Sequence, residues 1–297
     1  MTERRSRLSG LLAALGLFAC QPAPEFAVNG PCTVAASPRD LPDTVRETSG
    51  LTLSRRSPGV LWTNNDSGNE PILYALDTTG TFLGQVRVTS AEVVDWEDIA
   101  AGPCDTGDCL FIGDFGDNRG RRDSISIYVV PEPLPTDSAT APAIVLNARY
   151  PDRAQDAEAM FLLPGGDLFI VTKGRRDSIG LYRYPKAAQR PGGSVTLERV
   201  RTLAARPAKG DDRVTGAAAT SNGERVAIRS YRWLQVYNAE GLLHSGLPTL
   251  TFDLRPLDEA QGEGVAIDSS GRVWLSSEAE GRRHPPVMSR LRCSLGG

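Results

Sequence analysis

Glutamates recur at one position of a repeating pattern in this 297-residue chain, each directly before a short apolar run. Glu97, Glu158 and Glu263 take this position in three repeats, and Ser49 and Thr215 take it in two others. Carboxylates that lie close together repel one another unless a proton or a cation neutralises them. Oxygen ligands of this kind suit Ca²⁺ or Mg²⁺. A pair of carboxylates can also act as general acid and general base on a bound sugar or ester.

Further polar residues follow other apolar runs, in loops rich in Asp, Asn and Gly. We predict a candidate site that consists of Glu97, Asp98, Glu158, Glu263, Lys173 and Arg229. The predicted metal ligands, for Ca²⁺, are Asn65, Asp66, Asp114, Asp117, Glu97, Glu158 and Glu263. The pattern does not single out a catalytic residue.

The same residues also have a purely structural interpretation. Asp and Asn are common in turns because they accept left-handed backbone and bond nearby N–H groups. An acidic side chain at the start of a strand can bond backbone amides of the next repeat and so join the repeats. Lys173 and Arg229 could bind an anionic group or balance the neighbouring acids. Both interpretations remain open at this stage.

The elements that must position these residues are themselves repeated. An identical GRRDSI occupies residues 120–125 and 174–179, and each copy lies between two similar apolar runs. The copies differ in the length of the loop that precedes them. A repeat of this size indicates a duplicated strand–loop–strand unit.

Four short strands recur in five such units. They are rich in Val, Ile and aromatic residues and are bounded by Gly, Asn, Asp and Pro, which is typical of β-strands. The pattern predicts an all-β fold, a single β-propeller with five four-stranded blades. Six blades, one of them degenerate, are the alternative. The last unit lacks its outer strand, which residues 32–36 can supply, and the other outer strands are predicted at 82–88, 143–150, 195–203 and 250–254.

A propeller of this kind would gather the polar residues at one end. The first strand of each blade lines the central channel, so its start and the end of the antiparallel second strand lie at the same mouth. We therefore expect the recurring glutamates and the Asp- and Asn-rich loops to meet there.

The N-terminal residues have the character of an export signal. Arg4, Arg5 and Arg7 precede an apolar run at 11–19, which is typical of a signal peptide and is shorter than the ~20 residues that span a bilayer. Residues 17–20 (LFAC) resemble the lipobox of bacterial lipoproteins. The resemblance implies cleavage before Cys20 and its acylation, with palmitate among the acyl groups; ordinary signal-peptidase cleavage nearby is the alternative.

These features predict three regions and a location. Residues 1–19 form the signal peptide, 20–31 a Pro-rich tether and 32–297 the propeller domain. Gln21 after the lipidated cysteine favours, by the same resemblance, the outer membrane or cell surface of a bacterium.

The four remaining cysteines are predicted to form disulfides, because an exported protein folds in an oxidising compartment. Cys104 and Cys109 bracket a turn-forming loop. Cys32 and Cys293 would lie side by side if the N-terminal strand closes the ring. Zinc ligation is disfavoured, since the chain has only two His and lacks a C-x-x-C pair.

Charge and motifs exclude several function classes. The formal net charge of −3 offers no electrostatic footprint for nucleic acid. The sequence contains no G-x-S-x-G elbow, no H-E-x-x-H helix and no P-loop. An unidentified protein, glycan or small molecule is the expected partner, and the membrane is reached through the lipid anchor.

Several motifs resemble a family of exported bacterial β-propeller lipoproteins, namely those at 49–51, 60–68, 95–100, 113–118, 214–217 and 262–266. More distantly, Glu263-Gly264-Val265 followed by Leu275-Ser276-Ser277-Glu278 is similar to the phytase-like and gluconolactonase-like propellers. That similarity implies a divalent metal held by acids at the channel mouth and cleavage of phosphate esters or lactones. Ser49 and Thr215 depart from the all-acid ring that such a metal cage would have.

Two functions follow from this sequence. The favoured one is a lipid-anchored extracytoplasmic propeller that acts as a binding or interaction module through its acidic channel face. The alternative is a divalent-metal-dependent hydrolase of phosphoesters or lactones with its site at the channel mouth. Whether the protein is an enzyme is left open by the residues themselves.

Overall fold

The computed structural model describes residues 31–205 and 208–295, which form five small β-sheets. In chain order the strands are β1 (Cys32–Asp40), β2 (Thr48–Leu53), β3 (Val60–Asn65), β4 (Ile72–Asp77), β5 (Phe82–Arg87), β6 (Trp96–Cys104), β7 (Gly107–Asp114), β8 (Ile125–Pro131), β9 (Ile144–Arg149), β10 (Ala157–Leu162), β11 (Leu168–Thr172), β12 (Ile179–Tyr184), β13 (Ser194–Thr196), β14 (Glu198–Ala204), β15 (Val214–Ala219), β16 (Arg225–Ser230), β17 (Trp233–Asn238), β18 (Leu250–Asp253), β19 (Gln261–Ile267), β20 (Arg272–Glu278) and β21 (Val287–Cys293). One short helix, α1 (Ala239–Leu243), follows β17, and the Asn238 side chain caps it by accepting the N–H of Gly241.

The five sheets are the blades of a β-propeller. Blade 1 is β2–β5, blade 2 is β6–β9, blade 3 is β10, β11, β12 and β14, blade 4 is β15–β18, and blade 5 is β19–β21 with β1. The inner strands β2, β6, β10, β15 and β19 contact one another in ring order. The predicted all-β, five-bladed fold is confirmed, and the six-bladed alternative is wrong.

The N-terminal strand closes the ring, as predicted. β1 pairs antiparallel with β21 and becomes the outer strand of blade 5, with Cys32 directly opposite Cys293. Both predicted disulfides, Cys32–Cys293 and Cys104–Cys109, are present. The first of them joins residues 261 positions apart, so it covalently fastens the two ends of the ring.

The outer strand of blade 3 differs from the prediction. Instead of one strand at 195–203, the chain forms β13, which pairs in parallel with β9 as a fifth strand of blade 2, and then β14, which completes blade 3. Leu197 separates the two strands and is buried in the apolar cluster between blades 2 and 3. Burying this side chain between the blades accounts for the change of sheet.

Apolar cores lie between successive blades. Trp62 of β3 and Trp96 of β6 are both fully buried between blades 1 and 2, where burial of a large side chain contributes on the order of 2 kcal/mol. Leu61, the neighbour of Trp62, instead packs between blades 1 and 5. Side chains along a strand alternate between its faces, so Asn64 lies on the same side of β3 as Trp62, facing blade 2.

The disulfides indicate an oxidising environment outside the cytoplasm. In the described ranges, no helix has the length and apolar character needed to cross a membrane. The predicted signal peptide, Cys20 and all but the last residue of the predicted tether lie outside the described residues.

Candidate functional site at the channel mouth

Every inner strand begins with an irregularity at the same mouth of the channel. The register between the inner strand and its neighbour shifts between residues 48 and 51, 96 and 98, 157 and 159, 214 and 216, and 262 and 265. A β-bulge removes a residue from the hydrogen-bonded ladder and re-aims its side chain. The residues inside these five bulges include Ser49, Glu97, Glu158, Thr215 and Glu263. The recurring position in the sequence is therefore the bulge position of each blade.

Three carboxylates from blades 1 and 2 converge at this mouth. Asp66 follows β3, Asp95 precedes β6, and Glu97 lies in the bulge of β6; one oxygen from each lies within 4.8 Å of the others. Burial raises the pKa of all three, that of Asp95 to about 6, and nearby carboxylates add to the rise. Within residues 31–205 and 208–295, no Lys or Arg forms an ion pair with any of the three. We call Asp66, Asp95 and Glu97 the carboxylate triad.

Two asparagines at the end of β3 carry buried amide oxygens without a hydrogen-bond partner among the described residues, namely Oδ1 of Asn64 and Oδ1 of Asn65. Asn64 donates its Nδ2 to the carbonyl of Asn65 at 3.2 Å, and Asn65 donates to the carbonyl of Thr44 at 3.0 Å. Since Asn64 faces blade 2, its oxygen is on the side of the triad. A buried acceptor without a donor costs about 1–3 kcal/mol, which a cation near Asn64 would relieve.

Asp98, the residue after Glu97, has a structural role. Its carboxylate accepts the N–H groups of Ile99 (2.8 Å), Met160 (2.7 Å) and Ala217 (3.2 Å), which belong to the inner strands of blades 2, 3 and 4. Burial raises the pKa of Asp98 to about 8, and these amides oppose that rise. Asp98 therefore joins inner strands across the channel, as the structural interpretation of the blade-start acids describes.

Lys173 provides a positive charge in the other half of the mouth, where Glu158 of blade 3 and Glu263 of blade 5 lie. Its buried ammonium forms an ion pair with Glu158 of blade 3, and the ring of Tyr231 lies 6.0 Å away. Burial disfavours the ammonium, but Glu158, Tyr231 and Glu263 outweigh that cost and raise the pKa of Lys173. Lys173 consequently stays charged and offsets the repulsion between Glu158 and Glu263.

Gln261 links two carboxylates of blade 5. Its Nε2 donates to Oε1 of Glu263 at 2.8 Å and to Oε2 of Glu278 at 3.0 Å. Burial, followed by repulsion from neighbouring carboxylates, raises the pKa of Glu278 to about 8. The other oxygen of Glu263 is buried and has no hydrogen-bond partner among the described residues.

Arg229 lies beneath the mouth and is fully buried. It donates to Oε2 of Glu259 at 2.6 Å and to the carbonyls of Gly264 and Ser276 at 3.0 and 3.2 Å. Its contacts tie blade 4 to blade 5. The geometry gives Arg229 a structural role rather than a position from which to bind an anion.

The predicted ligands Asp114 and Asp117 already have hydrogen-bond partners among the described residues. Asp114 accepts the N–H groups of Val94 and Asp95, both at 3.2 Å, and pairs with Arg122 at 2.7 Å. Asp117 accepts the N–H groups of Arg121 and Arg122 at 2.6 and 2.7 Å. Asp114 thus contacts the backbone that carries Asp95, and Asp117 shapes the following turn.

Of the seven predicted metal ligands, the structure brings Asp66 and Glu97 together in the triad. Glu158 and Glu263 lie with Lys173 in the other half of the mouth, and Asn65 lies on the blade-5 side of β3 with its partner Tyr74. The candidate site predicted from the sequence did not include Asp95. Its only signal was its place two residues before Glu97, within a motif already noted at 95–100.

Two cavities flank the channel. One of about 480 Å³ adjoins the acidic mouth and is lined in part by Tyr231, Glu259 and Gln261. Another of about 480 Å³ lies at the opposite mouth, where the inner strands end in small residues such as Ala101, Ala218 and Ala266. The ion pairs Arg55–Asp108 and Arg272–Asp268 border this second cavity, so its cationic groups are already neutralised.

Comparison with known structures identifies the fold. The PQQ-bound form of aldose sugar dehydrogenase from Streptomyces coelicolor is similar, with a TM-score of 0.51 and 13% identity over 89% of this chain and 98% of that chain. A gluconolactonase from Xanthomonas campestris is also similar, with a TM-score of 0.44 and 14% identity over 83% of this chain and 72% of that chain. Virginiamycin B lyase from Staphylococcus aureus has a TM-score of 0.41 and 10% identity over 86% of this chain and 69% of that chain. Protein-family profiles and curated proteins give no match. At this identity the comparison shows a β-propeller and nothing about activity.

The raised pKa values predict that the metal-free protein loses stability as the pH rises from 5 to 8. Unfolded Asp and Glu titrate near 4, whereas Asp95, Asp98 and Glu278 titrate at about 6, 8 and 8 in the folded protein. The folded state therefore binds more protons in this window, so its free energy of unfolding falls as protons are lost.

Thermal melts in chelator should show this as a decrease in Tm between pH 5 and pH 8, since each kcal/mol lost lowers the Tm of a domain of this size by ~2–4 °C. Glu278→Gln should flatten the slope, because the amide cannot ionise. A Tm that is constant or rises over this window would contradict the assignment.

Proposed function

We propose that this protein is an extracytoplasmic five-bladed propeller that binds Ca²⁺ at its acidic channel mouth and, through that face, a protein or glycan partner. The observation that carries the proposal is the carboxylate triad, three acidic side chains with oxygens within 4.8 Å and no ion-pair partner among the described residues.

The chemistry of the donors favours Ca²⁺. Calcium takes six to eight oxygen ligands at about 2.3–2.6 Å, so two of its ligands on opposite sides lie roughly 4.6–5.2 Å apart. The triad oxygens fall within that span. The unpartnered Oδ1 of Asn64 supplies a further oxygen of the kind that Ca²⁺ accepts.

The position of the ion would explain a binding role. Asp66 belongs to blade 1 and Asp95 and Glu97 to blade 2, so a bound cation would bridge two blades. Asp66 and Asp95 are half-buried rather than buried, which leaves the outer side of the ion open. A carboxylate or hydroxyl of a partner would complete the coordination from that side.

We expect Ca²⁺ to raise the Tm of the purified protein in chelator-treated buffer at pH 8. A ligand that binds only the folded state at 100 times its Kd contributes about 2.7 kcal/mol, which corresponds to roughly 5–10 °C here. Asp66→Asn, Asp95→Asn and Glu97→Gln should each lose most of the shift. Glu240→Gln, which changes an exposed acid on α1, is the matched control and should keep it.

The same experiment at pH 5.5 tests whether the triad is the ligand. Protons and Ca²⁺ would compete for the same carboxylates, so the shift should be smaller than at pH 8. Absence of a shift in the wild-type protein at pH 8 would overturn the proposal. A shift that persists in all three triad variants would place the ion elsewhere.

A second candidate function is a divalent-metal-dependent hydrolase of phosphoesters or lactones. It is favoured by the cavity beside the mouth, whose lining residues Tyr231 and Gln261 both donate to Oε1 of Glu263. Burial raises the pKa of Glu263, which suits a general acid or base near neutral pH.

A screen of phosphoesters, lactones and glycosides with Ca²⁺ tests this second function. Turnover that disappears in Glu263→Gln, while the Ca²⁺-dependent Tm shift remains, would support it. Turnover unchanged in that variant would come from another site or a contaminant.

We also infer that the protein is anchored through acylated Cys20 at the outer membrane or cell surface of a bacterium. The lipobox-like residues 17–20 and the two disulfides support this location. The mature protein from membranes should have an intact mass that includes acyl chains on a chain beginning at Cys20. A mature protein without acyl chains would exclude the anchor.

A further inference from the structure

We propose that Gly116 and Arg122 are positioning residues that hold the carboxylate triad in place for cation binding. Neither residue offers an oxygen ligand from its side chain; both act on Asp95 and Glu97. This inference rests on the proposed Ca²⁺ site, and its test is designed to separate the two.

Gly116 lies directly against two of the three carboxylates, those of Asp95 and Glu97. A Cβ atom added to it would clash with Oε1 of Glu97 and would lie 2.6 Å from Cγ and Oδ2 of Asp95. Gly116 also donates its N–H to the carbonyl of Asp95 at 3.2 Å. Its φ angle is not in the left-handed region, so contact with the carboxylates, and not backbone geometry, requires glycine here.

Arg122 holds the loop that contains Gly116 by several hydrogen bonds. Its Nη1 donates to Oδ1 of Asp114 at 2.7 Å and to the carbonyl of Gly116 at 3.1 Å, and its Nη2 donates to the carbonyl of Asp114 at 3.1 Å. Asp114 in turn accepts the N–H groups of Val94 and Asp95. A chain of hydrogen bonds therefore leads from Arg122 through Asp114 to the backbone of a triad residue.

The duplicated GRRDSI motif provides an internal control. Arg176 is the counterpart of Arg122 in the second copy, and it donates to the carbonyl of Arg119 on an exposed part of the loop. The two arginines have the same sequence neighbours but different partners. Arg122→Gln and Arg176→Gln are thus matched variants that differ in whether the lost contact supports the triad.

Electrostatics and positioning predict opposite results for Arg122→Gln. The Arg122 guanidinium lowers the pKa of Asp95 and repels a bound cation, so charge alone predicts that its removal strengthens Ca²⁺ binding. If Arg122 positions the triad, its removal weakens binding, and loss of a residue that orients metal ligands typically costs 10- to 100-fold in metal affinity.

The experiment is calorimetric titration of the full chain with Ca²⁺ at pH 8, with a metal-free melt of every variant. We expect Gly116→Ala and Arg122→Gln each to weaken Ca²⁺ binding about 10-fold or more. Arg176→Gln and Gly165→Ala should bind like the wild type; a Cβ on Gly165 would meet no atom within 4 Å. The metal-free Tm of Gly116→Ala should stay near that of the wild type, since two carboxylate groups can move aside.

The outcomes are distinct. If the wild type fails to bind Ca²⁺, the proposed function is wrong and the positioning role falls with it. If the wild type binds and Gly116→Ala binds equally well, or Arg122→Gln binds more tightly, the positioning role alone is overturned. If Arg122→Gln lowers the metal-free Tm severely, Gly116→Ala, which leaves all side-chain hydrogen bonds of the loop in place, decides the question.

Discussion

Repulsion among buried carboxylates is the interaction on which the channel mouth depends. A propeller brings the starts of its inner strands together, so acidic residues placed there must approach one another. The two halves of the mouth meet this constraint differently. On blades 3 and 5 the ammonium of Lys173 lies among Glu158 and Glu263, whereas no lysine or arginine of the described chain pairs with the triad on blades 1 and 2. The triad on blades 1 and 2 therefore has no ion pair within the described residues, and the charge of Lys173 reaches it only through space, where it opposes the rise that burial causes in the pKa of Asp66 and Glu97.

Two adjacent residues of β6 have different roles: Asp98 joins the inner strands, and Glu97 is a candidate metal ligand. Asp98 is held by backbone amides of several blades, and Glu97 beside it has no such set of donors in the described structure. The bulge between Trp96 and Asp98 separates the two roles because it turns Glu97 out of the ladder. The structural acid and the candidate ligand are therefore distinguished by local backbone geometry.

Much of the fold followed from the sequence because repeats and closure have simple signals. The recurring position of Glu97, Glu158 and Glu263 predicted the starts of the inner strands, and residues 32–36 predicted the closing strand. The site was harder to predict, since every Asp in a turn looks alike in sequence. Asp95 and Asp114 differ in their partners: Asp95 belongs to the triad, and Asp114 accepts the backbone N–H of Asp95. The split of residues 195–203 also depended on a tertiary contact, the burial of Leu197 between blades.

The two copies of the duplicated motif lie in different surroundings. Both GRRDSI copies connect similar strands, but Arg175 and Arg176 of the second copy donate to Asn118 and Arg119, which precede the first copy. The longer loop before the first copy contains Asp114 and Gly116, which places Arg122 against the segment beneath the triad. Before the second copy, Lys173 directly follows β11 and forms an ion pair with Glu158. The two blades therefore differ in whether a lysine of their own pairs with the glutamate of the bulge: blade 3 has Lys173 beside Glu158, and Glu97 of blade 2 has no ion-pair partner among the described residues.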